Sequence, residues 1–216
     1  LTLTASSFDD KTTSIFNNEP INEIHLTHEE ARNHLKPRGT TRLYATGVEE
    51  VNKLRENFKV LKEQHPGKKC TASFLLFTDG NDNASGEITK EDLAEAISAA
   101  RTEGIVCLFT GADQEATQTG ASYGFAQGNC LRMSSLRTSS AESGFKSTSA
   151  AMQRAMSGGN ANFTQAERQA SVGTSDDDAP QIPAITRVRR MLRMPHQPIP
   201  TLRTSGEPHS VDRFFN

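Results

Sequence analysis

The residues best suited to chemistry lie at the end of one short apolar run. Phe74 to Phe77 is continuously apolar and is followed directly by Thr78, Asp79 and Gly80. A run of this length bounded by turn residues predicts a strand covered on both faces, as in a parallel sheet. Ligands of such sheets collect at the carboxyl ends of the strands, and hydroxyl and carboxylate oxygens are the donors that Mg²⁺ prefers.

A second oxygen donor, Thr41, lies in the segment PRGTTRLY at residues 37 to 44, just before a predicted helix. Its hydroxyl could join the Asp79 carboxylate on a cation if the two loops converge. Each residue also has a purely structural interpretation. Asp79 could be a turn or helix-capping residue that needs no metal, and Thr41 could be the N-cap of the helix that follows.

Helical and strand patterns alternate along the chain after a predicted hairpin at Leu1 to Phe16, whose turn is Asp9-Asp10-Lys11. The later predicted elements are a short helix near 29 to 35, a long helix around 51 to 61, a strand at 74 to 77, a helix from 89 to 104, a strand at 105 to 109, a short helix from 113 to 123, a strand at 129 to 133 and a helix at 139 to 156. This order predicts an α/β fold, a Rossmann-like doubly wound and mostly parallel sheet with the hairpin as an antiparallel edge.

Two of these helices carry capping predictions. Thr89 with Asp92 has the spacing of a capping box, and Ser139 with Glu142 has the same spacing at the start of the last helix. The residues of that last helix expected to face inward are Ala141, Phe145, Met152 and Met156.

The composition changes beyond about residue 160. Six of the nine prolines lie between Pro180 and Pro208, and apolar periodicity is lost. We therefore expect one domain over residues 1–159 and a disordered Pro/Ser/Arg-rich tail over residues 160–216. A basic cluster in this tail, which could bind nucleic acid or act as a nuclear-localisation signal, consists of Arg187, Arg189, Arg190 and Arg193.

The overall charge and the cysteines exclude several classes of protein. A formal net charge of -2 provides no field that would attract nucleic acid or a membrane surface. The three cysteines, Cys70, Cys107 and Cys130, are odd in number and widely spaced, which argues against a zinc knuckle or a disulfide scaffold. They predict reduced thiols in an intracellular protein, cytoplasmic or alternatively nuclear. No apolar run is long enough to span a membrane.

Four short segments follow one another in a recognisable order. They are Phe8-Asp9-Asp10, the PRGTTRLY segment, Phe74 to Gly80, and Gly111-Ala112-Asp113-Gln114. Together they resemble a von Willebrand factor A-type domain of the intracellular kind found in microbial and protist proteins. The resemblance covers roughly Leu1 to Gly158. It implies a metal-ion-dependent adhesion site built from three loops, in which Thr41 matches the threonine of the second loop and Asp79 the aspartate of the third.

The resemblance also implies that part of the site is missing. The first loop, an Asp-x-Ser-x-Ser after the central strand, is expected to precede Leu1, so the domain would lack its first strand and first helix. Asp10 to Ser14 reads Asp-x-Thr-x-Ser, but only 31 residues separate Asp10 from Thr41, too few for the intervening elements. We therefore expect a turn there, weak or absent binding of Mg²⁺, Mn²⁺ or Ca²⁺, and an exposed strand edge.

The function that the resemblance implies is protein binding of the adhesion or scaffold type. An acidic side chain of a protein partner would complete the coordination of the cation. A metal-independent scaffold acting through the basic tail is the alternative. A hydrolase using Asp79 is less favoured, because we expect no Asp-x-Asp phosphotransfer motif, no nucleophile elbow, no P-loop and no histidine placed as a base. The spacing of His25, His28 and His34 indicates surface histidines rather than metal ligands.

Overall fold

A computed structural model of the chain describes residues 1–35, 39–112, 115–134 and 138–173. Its strands are β1 (Thr2–Phe8), β2 (Thr12–Pro20), β3 (Ser73–Thr78), β4 (Val106–Gly111) and β5 (Cys130–Arg132). Its α-helices are α1 (His28–His34), α2 (Leu43–Gln64), α3 (Lys90–Thr102), α4 (Ala116–Ser122), α5 (Thr138–Met156) and α6 (Gln165–Val172). The element types predicted from the hairpin to α5 are confirmed.

The strands form two sheets rather than one. β3, β4 and β5 are parallel and lie in that order, with Ser73 opposite Val106 and Phe109 opposite Cys130. β1 and β2 pair with each other as an antiparallel hairpin. The predicted α/β class, with a parallel sheet and an antiparallel hairpin, is confirmed, but the hairpin forms a sheet of its own instead of extending the parallel one.

Helices cover both faces of the parallel sheet because alternate residues of each strand point to opposite faces. Phe74 and Leu76 of β3 pack into the larger core together with residues of α2 and α3. Leu75, between them, packs against the smaller core, to which α5 contributes Ala151 and Ala155. Helices therefore cover both faces of the three-stranded parallel sheet, as the sequence predicts.

A capping box and a close helix contact define the helices on the face that carries the larger core. At the start of α3 the Thr89 hydroxyl accepts from the Asp92 N–H at 3.2 Å, and the Asp92 carboxylate accepts from the Thr89 N–H at 2.8 Å. The predicted capping box is therefore confirmed. α2 and α3 approach closely at Gly47, where a Cβ atom would lie 2.7 Å from Cδ1 of Leu93.

The buried face of α5 differs from the prediction at Phe145, whereas Met152 packs against the smaller core as predicted. Phe145 is 56% exposed, and α5 begins at Thr138, so Ser139 lies inside the helix rather than at its N-cap. The buried positions of α5 carry small residues, namely Ser140, Gly144, Ser147, Thr148, Ala151 and Ala155. A Cβ atom at Gly144 would overlap Met133 beyond β5, so close packing selects small side chains on this face.

The folded part of the chain extends past the predicted boundary at residue 160. Ala161 and Phe163 are buried, and α6 begins with a capping box between Thr164 and Glu167. Residues 160–173, expected in the tail, are therefore part of the domain. The basic cluster, Asp113, and Pro37 and Arg38 of the PRGTTRLY segment lie outside the described residues. Within the ranges given above, none of the helices combines the length and apolar character that a membrane span requires.

Candidate functional site

The loop after β3 leaves one carboxylate open to solvent. Thr78 is buried, and its hydroxyl accepts from the Gly80 N–H at 3.2 Å and donates to the Gly80 carbonyl at 2.9 Å. These bonds turn the chain immediately beyond the strand. Asp79, between them, is exposed, and within the described part of the chain its carboxylate has no hydrogen bond or ion pair.

Thr41 is held against this same loop by Asn83. The Thr41 N–H donates to Oδ1 of Asn83 at 2.6 Å, and the Thr41 carbonyl accepts from the N–H groups of Asn83 and Ala84 at 2.9 and 3.1 Å. The Thr41 hydroxyl oxygen lies 3.7 Å from the position that a Cβ atom would take on Gly80. The structure therefore brings the Thr41 loop and the Asp79 loop together without a metal.

The N-terminus of α2 is capped from a distance. Its N-cap residue, Arg42, makes no side-chain cap hydrogen bond. Instead, Oδ1 of Asp82 accepts from the Tyr44 N–H at 3.1 Å, and the Ser85 hydroxyl accepts from the Ala45 N–H at 2.9 Å. The Ser85 hydroxyl in turn donates to Asp82.

The capping roles considered for the two predicted site residues are wrong. Thr41 is not the N-cap of α2, and the aspartate that caps a helix is Asp82 rather than Asp79. Asp79 does lie in the turn after β3, so its interpretation as a turn residue stays open. Sequence reasoning missed Asp82 and Ser85 as capping residues, because a cap supplied from about 40 positions away leaves no signal beside the helix. Asp82 also places negative charge at the positive end of the α2 dipole.

The oxygen donors near the end of β3 differ in whether they are already used. The Thr78 hydroxyl, the Asp82 carboxylate and the Ser85 hydroxyl are used internally, whereas the two predicted ligands, the Thr41 hydroxyl and the Asp79 carboxylate, make no hydrogen bond among the described residues. In the described ranges no group of three or more His, Cys, Asp or Glu side chains could hold a metal ion. Mg²⁺ takes about six oxygen ligands, so these two donors fit part of a coordination sphere.

The turn predicted between the two strands of the hairpin is present. The Asp9 N–H donates to the Lys11 carbonyl at 3.2 Å, and Oδ1 of Asp9 accepts from the Lys11 N–H at 3.3 Å. The Thr12 and Thr46 hydroxyls lie 2.8 Å apart, so the threonine of the Asp-x-Thr-x-Ser pattern bonds to α2. The Asp9 carbonyl accepts from the Arg42 N–H at 2.8 Å, which brings the end of β1 to the start of α2.

One further sequence pattern is excluded by its position in the fold. Residues 120 to 124 read Gly-Ala-Ser-Tyr-Gly, the spacing of a hydrolase nucleophile elbow. Such an elbow lies between a strand and a helix, whereas Ser122 is the last residue of α4. Its hydroxyl donates to the Thr119 carbonyl at 2.8 Å within the same helix. Ser122 therefore lacks the geometry of a nucleophile.

The three cysteines are free thiols. Cys107 and Cys130 are buried, and burial raises the pKa of Cys107 to about 12 and that of Cys130 to about 11. A thiol with such a pKa is almost entirely protonated at neutral pH and is a poor nucleophile or metal ligand. Cys70 is half-buried.

Two surface grooves lie elsewhere. One, of about 710 Å³, runs along the second half of α2 beside Glu103, and the other, of about 500 Å³, separates the hairpin from the first half of α2. Neither is lined by Thr41 or Asp79. Asp79 is exposed, which suits a protein ligand better than a small molecule that a pocket would bury.

Comparison of the chain with models of protein families, with curated proteins and with solved structures finds no match. The resemblance to von Willebrand factor A-type domains therefore stays a prediction that depends on the four segments.

Proposed function

We propose that this chain is a protein-binding module of the von Willebrand factor A type that engages its partner at the carboxyl end of β3. Thr41 and Asp79 would be two ligands of a divalent cation, Mg²⁺ or in its place Mn²⁺ or Ca²⁺. The observation that carries this proposal is the set of hydrogen bonds between Thr41 and Asn83, which holds the Thr41 loop against the Asp79 loop.

The chemistry of the two donors supports a bridging cation. One carboxylate and one hydroxyl neutralise half of a divalent charge, so the bound ion would keep a net positive charge. An acidic side chain of a partner would then be attracted to it and could complete its coordination. Such a site binds without turnover, and we assign no enzymatic activity to it.

The affinity of this chain alone for the cation should be low. Two protein oxygens out of about six leave most of the sphere to water, and Mg²⁺ is bound weakly by so few ligands. The resemblance implies that an Asp-x-Ser-x-Ser loop would supply the remaining protein ligands. The proposed site is therefore one that is incomplete within these residues.

Mutation of Asp79 tests the proposal. In a full-length protein at saturating Mg²⁺, Asp79→Ala should abolish capture of the partner in a pull-down, as should removal of Mg²⁺ with EDTA. Asn81→Ala, in the same exposed loop, is the matched control and should leave capture intact.

The alternative, a scaffold acting through the basic cluster, predicts the opposite pattern. Neutralising Arg187, Arg189, Arg190 and Arg193 would then abolish capture, while Asp79→Ala would have no effect. That result would refute the proposed site. Turnover of generic phosphate or ester substrates that depends on Asp79 would favour the hydrolase interpretation instead.

A further inference from the structure

The groove between the hairpin and the first half of α2, here called the hairpin groove, has a volume of about 500 Å³. The described residues that line it are all polar or charged. They include Ser6, Lys11, Ser14, Arg42, Glu49 and Glu50. Pockets that bind small molecules typically have volumes of about 300 to 1,000 Å³. A ligand of matching size would have to be polar.

Most carboxylate oxygens of the hairpin groove already accept a hydrogen bond. Oε1 of Glu49 accepts from Nη2 of Arg42 at 2.9 Å, and Oε2 accepts from the Thr12 hydroxyl at 3.4 Å. Oε1 of Glu50 accepts from Nζ of Lys53 at 2.9 Å. Among the described residues, only Oε2 of Glu50 is left as a carboxylate acceptor in the groove.

The hydrogen-bond donors of the groove are largely unused. In the described part of the chain, the Lys11 ammonium, the Ser6 hydroxyl and the Asn17 side-chain amide make no hydrogen bond or ion pair. The Arg42 guanidinium bonds there through Nη2 alone, which leaves the N–H groups of Nε and Nη1. A ligand that satisfies this groove should therefore supply mainly acceptors.

The hairpin groove also has an excess of positive charge. Its charged residues, among those described, are the cations Lys11, Arg42 and Lys53 and the carboxylates Glu49 and Glu50. Arg42 pairs with Glu49 and Lys53 pairs with Glu50. The excess therefore lies at Lys11.

Lys11 and Arg42 lie at the same end of the groove. The Asp9 carbonyl accepts from the Arg42 N–H at 2.8 Å, and Lys11 follows Asp9 by two positions in the hairpin turn. Asp9 and Asp10, the carboxylates of this turn, are not among the residues that line the groove. An ammonium beside a guanidinium with unused N–H groups is a combination that binds phosphate. We therefore expect the anionic part of a ligand at this end.

Further along, the groove can bond to neutral hydroxyl groups. Ser6 and Ser14 are directly opposite each other in the β1–β2 ladder, so their side chains project from the same face of the hairpin. The pairing shifts register between Ala5 and Ser6, and such irregularities are frequent beside functional sites. A ligand hydroxyl both donates and accepts, so it can bond to a serine hydroxyl and to the remaining oxygen of Glu50.

We infer that the hairpin groove binds a small phosphorylated sugar. The phosphate would bond to Lys11 and Arg42. The sugar hydroxyls would bond to Ser6, Ser14 and Glu50. Residues 42 and 50 are separated by about 12 Å along the axis of α2, at 1.5 Å per residue, which leaves room for a sugar ring and a phosphate. The inference involves neither Thr41 nor Asp79 and is independent of the proposed cation site.

A sugar phosphate fits this groove better than an acidic peptide does. A row of peptide carboxylates would meet Glu49 and Glu50 beyond the Lys11 end, and like charges in contact are unfavourable. A sugar phosphate has one charged group, which would lie at the Lys11 end, and it places neutral hydroxyls beside the two glutamates.

Isothermal titration calorimetry on the full 216-residue chain tests the inference. The probes are glucose 6-phosphate and ribose 5-phosphate, with glucose, inorganic phosphate and hexaglutamate as comparisons. At least one of the two sugar phosphates should bind saturably at one site. Its affinity should exceed those of glucose and inorganic phosphate by about tenfold, because each of these makes only part of the contacts. Hexaglutamate should not displace it.

Variants of the lining residues locate the site. Lys11→Gln removes a charged donor and should weaken binding of the sugar phosphate about tenfold. Ser6→Ala should weaken it about threefold and leave the binding of inorganic phosphate unchanged. Lys59→Gln makes the same change of charge at an exposed position of α2 outside the groove, so it is the matched control and should have no effect. Asp79→Ala should also have no effect, which separates this site from the proposed cation site.

The basic cluster could bind phosphate by itself, so a further control replaces its four arginines with glutamine and should bind the sugar phosphate as the unaltered chain does. Three results would overturn the inference. The first is the absence of saturable binding of both sugar phosphates. The second is undiminished binding by Lys11→Gln, or loss of binding in the basic-cluster variant. The third is displacement of the sugar phosphate by hexaglutamate, since the groove would then accept an acidic peptide.

Discussion

Two aspartates three positions apart differ in what they contact. Asp82 accepts from the Tyr44 N–H at the start of α2 and from Ser85, whereas Asp79 is exposed and has no bonding partner within the described residues. The sequence identifies Asp79 as the residue of interest, because only Thr78 separates it from an apolar run. It gives no indication of the contacts of Asp82, which depend on how α2 and the β3 loop meet in three dimensions.

We therefore expect these two aspartates to differ in their effect on stability. Asp82→Ala should lower the free energy of unfolding by about 1 to 2 kcal/mol, because it removes a helix cap. Asp79→Ala should change it by less than about 0.5 kcal/mol, as is usual for an exposed side chain without partners. Urea denaturation of both variants in EDTA measures the difference. Equal losses would show that the Asp82 cap does not contribute.

Cysteine reactivity is a second prediction at the residue scale. Because burial raises the pKa of Cys107 to about 12 and that of Cys130 to about 11, neither should react with a thiol reagent at pH 8 while the chain is folded. Cys70 is half-buried and should react first. Mass spectrometry after timed labelling identifies the site. Rapid labelling of Cys107 in the folded chain would contradict the packing described here.

At the scale of elements, the sequence predicts the positions of helices and strands well. It predicts less well which face of a helix is buried. The strand at β3 and the box at Thr89 depend on neighbouring residues, and both are confirmed. The inward face of α5 depends on how closely the helix approaches the sheet, so its small residues are buried while Phe145 is left outside. The sequence does not predict α6, because its segment is mostly polar. Contacts with α5 hold α6 in the domain.

Arg154 of α5 links that helix to the segment that contains α6. Its guanidinium donates to both carboxylate oxygens of Glu167 at 2.8 and 3.0 Å, and to the carbonyls of Asn160 and Asn162 at 3.1 Å each. Partial burial acts to raise the pKa of Glu167, but the bonds from Arg154 and Thr164 outweigh it, and the pKa lies below its ordinary value.

Arg154→Met should therefore destabilise the chain in a pH-dependent way. A carboxylate whose pKa is lowered by folding stabilises the fold above its unfolded pKa, about 4.3, and loses that contribution as the pH falls through the folded pKa. We expect a loss of about 1 to 3 kcal/mol at pH 7 that shrinks below about pH 4. Urea denaturation at several pH values measures it, with Arg154→Lys expected to be intermediate. A loss that is independent of pH would contradict the role of Glu167.

For the whole molecule, the alternation of elements predicts the α/β class, and the structure confirms it. The division of the strands into two sheets could not be read from periodicity, because an apolar strand looks the same with one neighbour or two. The sequence is equally uninformative about which loops meet at the proposed cation site. The sequence identifies Thr41 and Asp79, and only the structure shows that Asn83 brings their loops together.

The most direct test of the central claim is a Mn²⁺ titration of the whole chain, followed by the electron paramagnetic resonance of the free ion. A single weak site, in the millimolar range, is predicted for the unaltered chain. Asp79→Asn and Thr41→Val should each abolish it, and Asn81→Ala should leave it in place. Undetectable binding, or binding that persists in both Asp79→Asn and Thr41→Val, would contradict a cation site at the carboxyl end of β3.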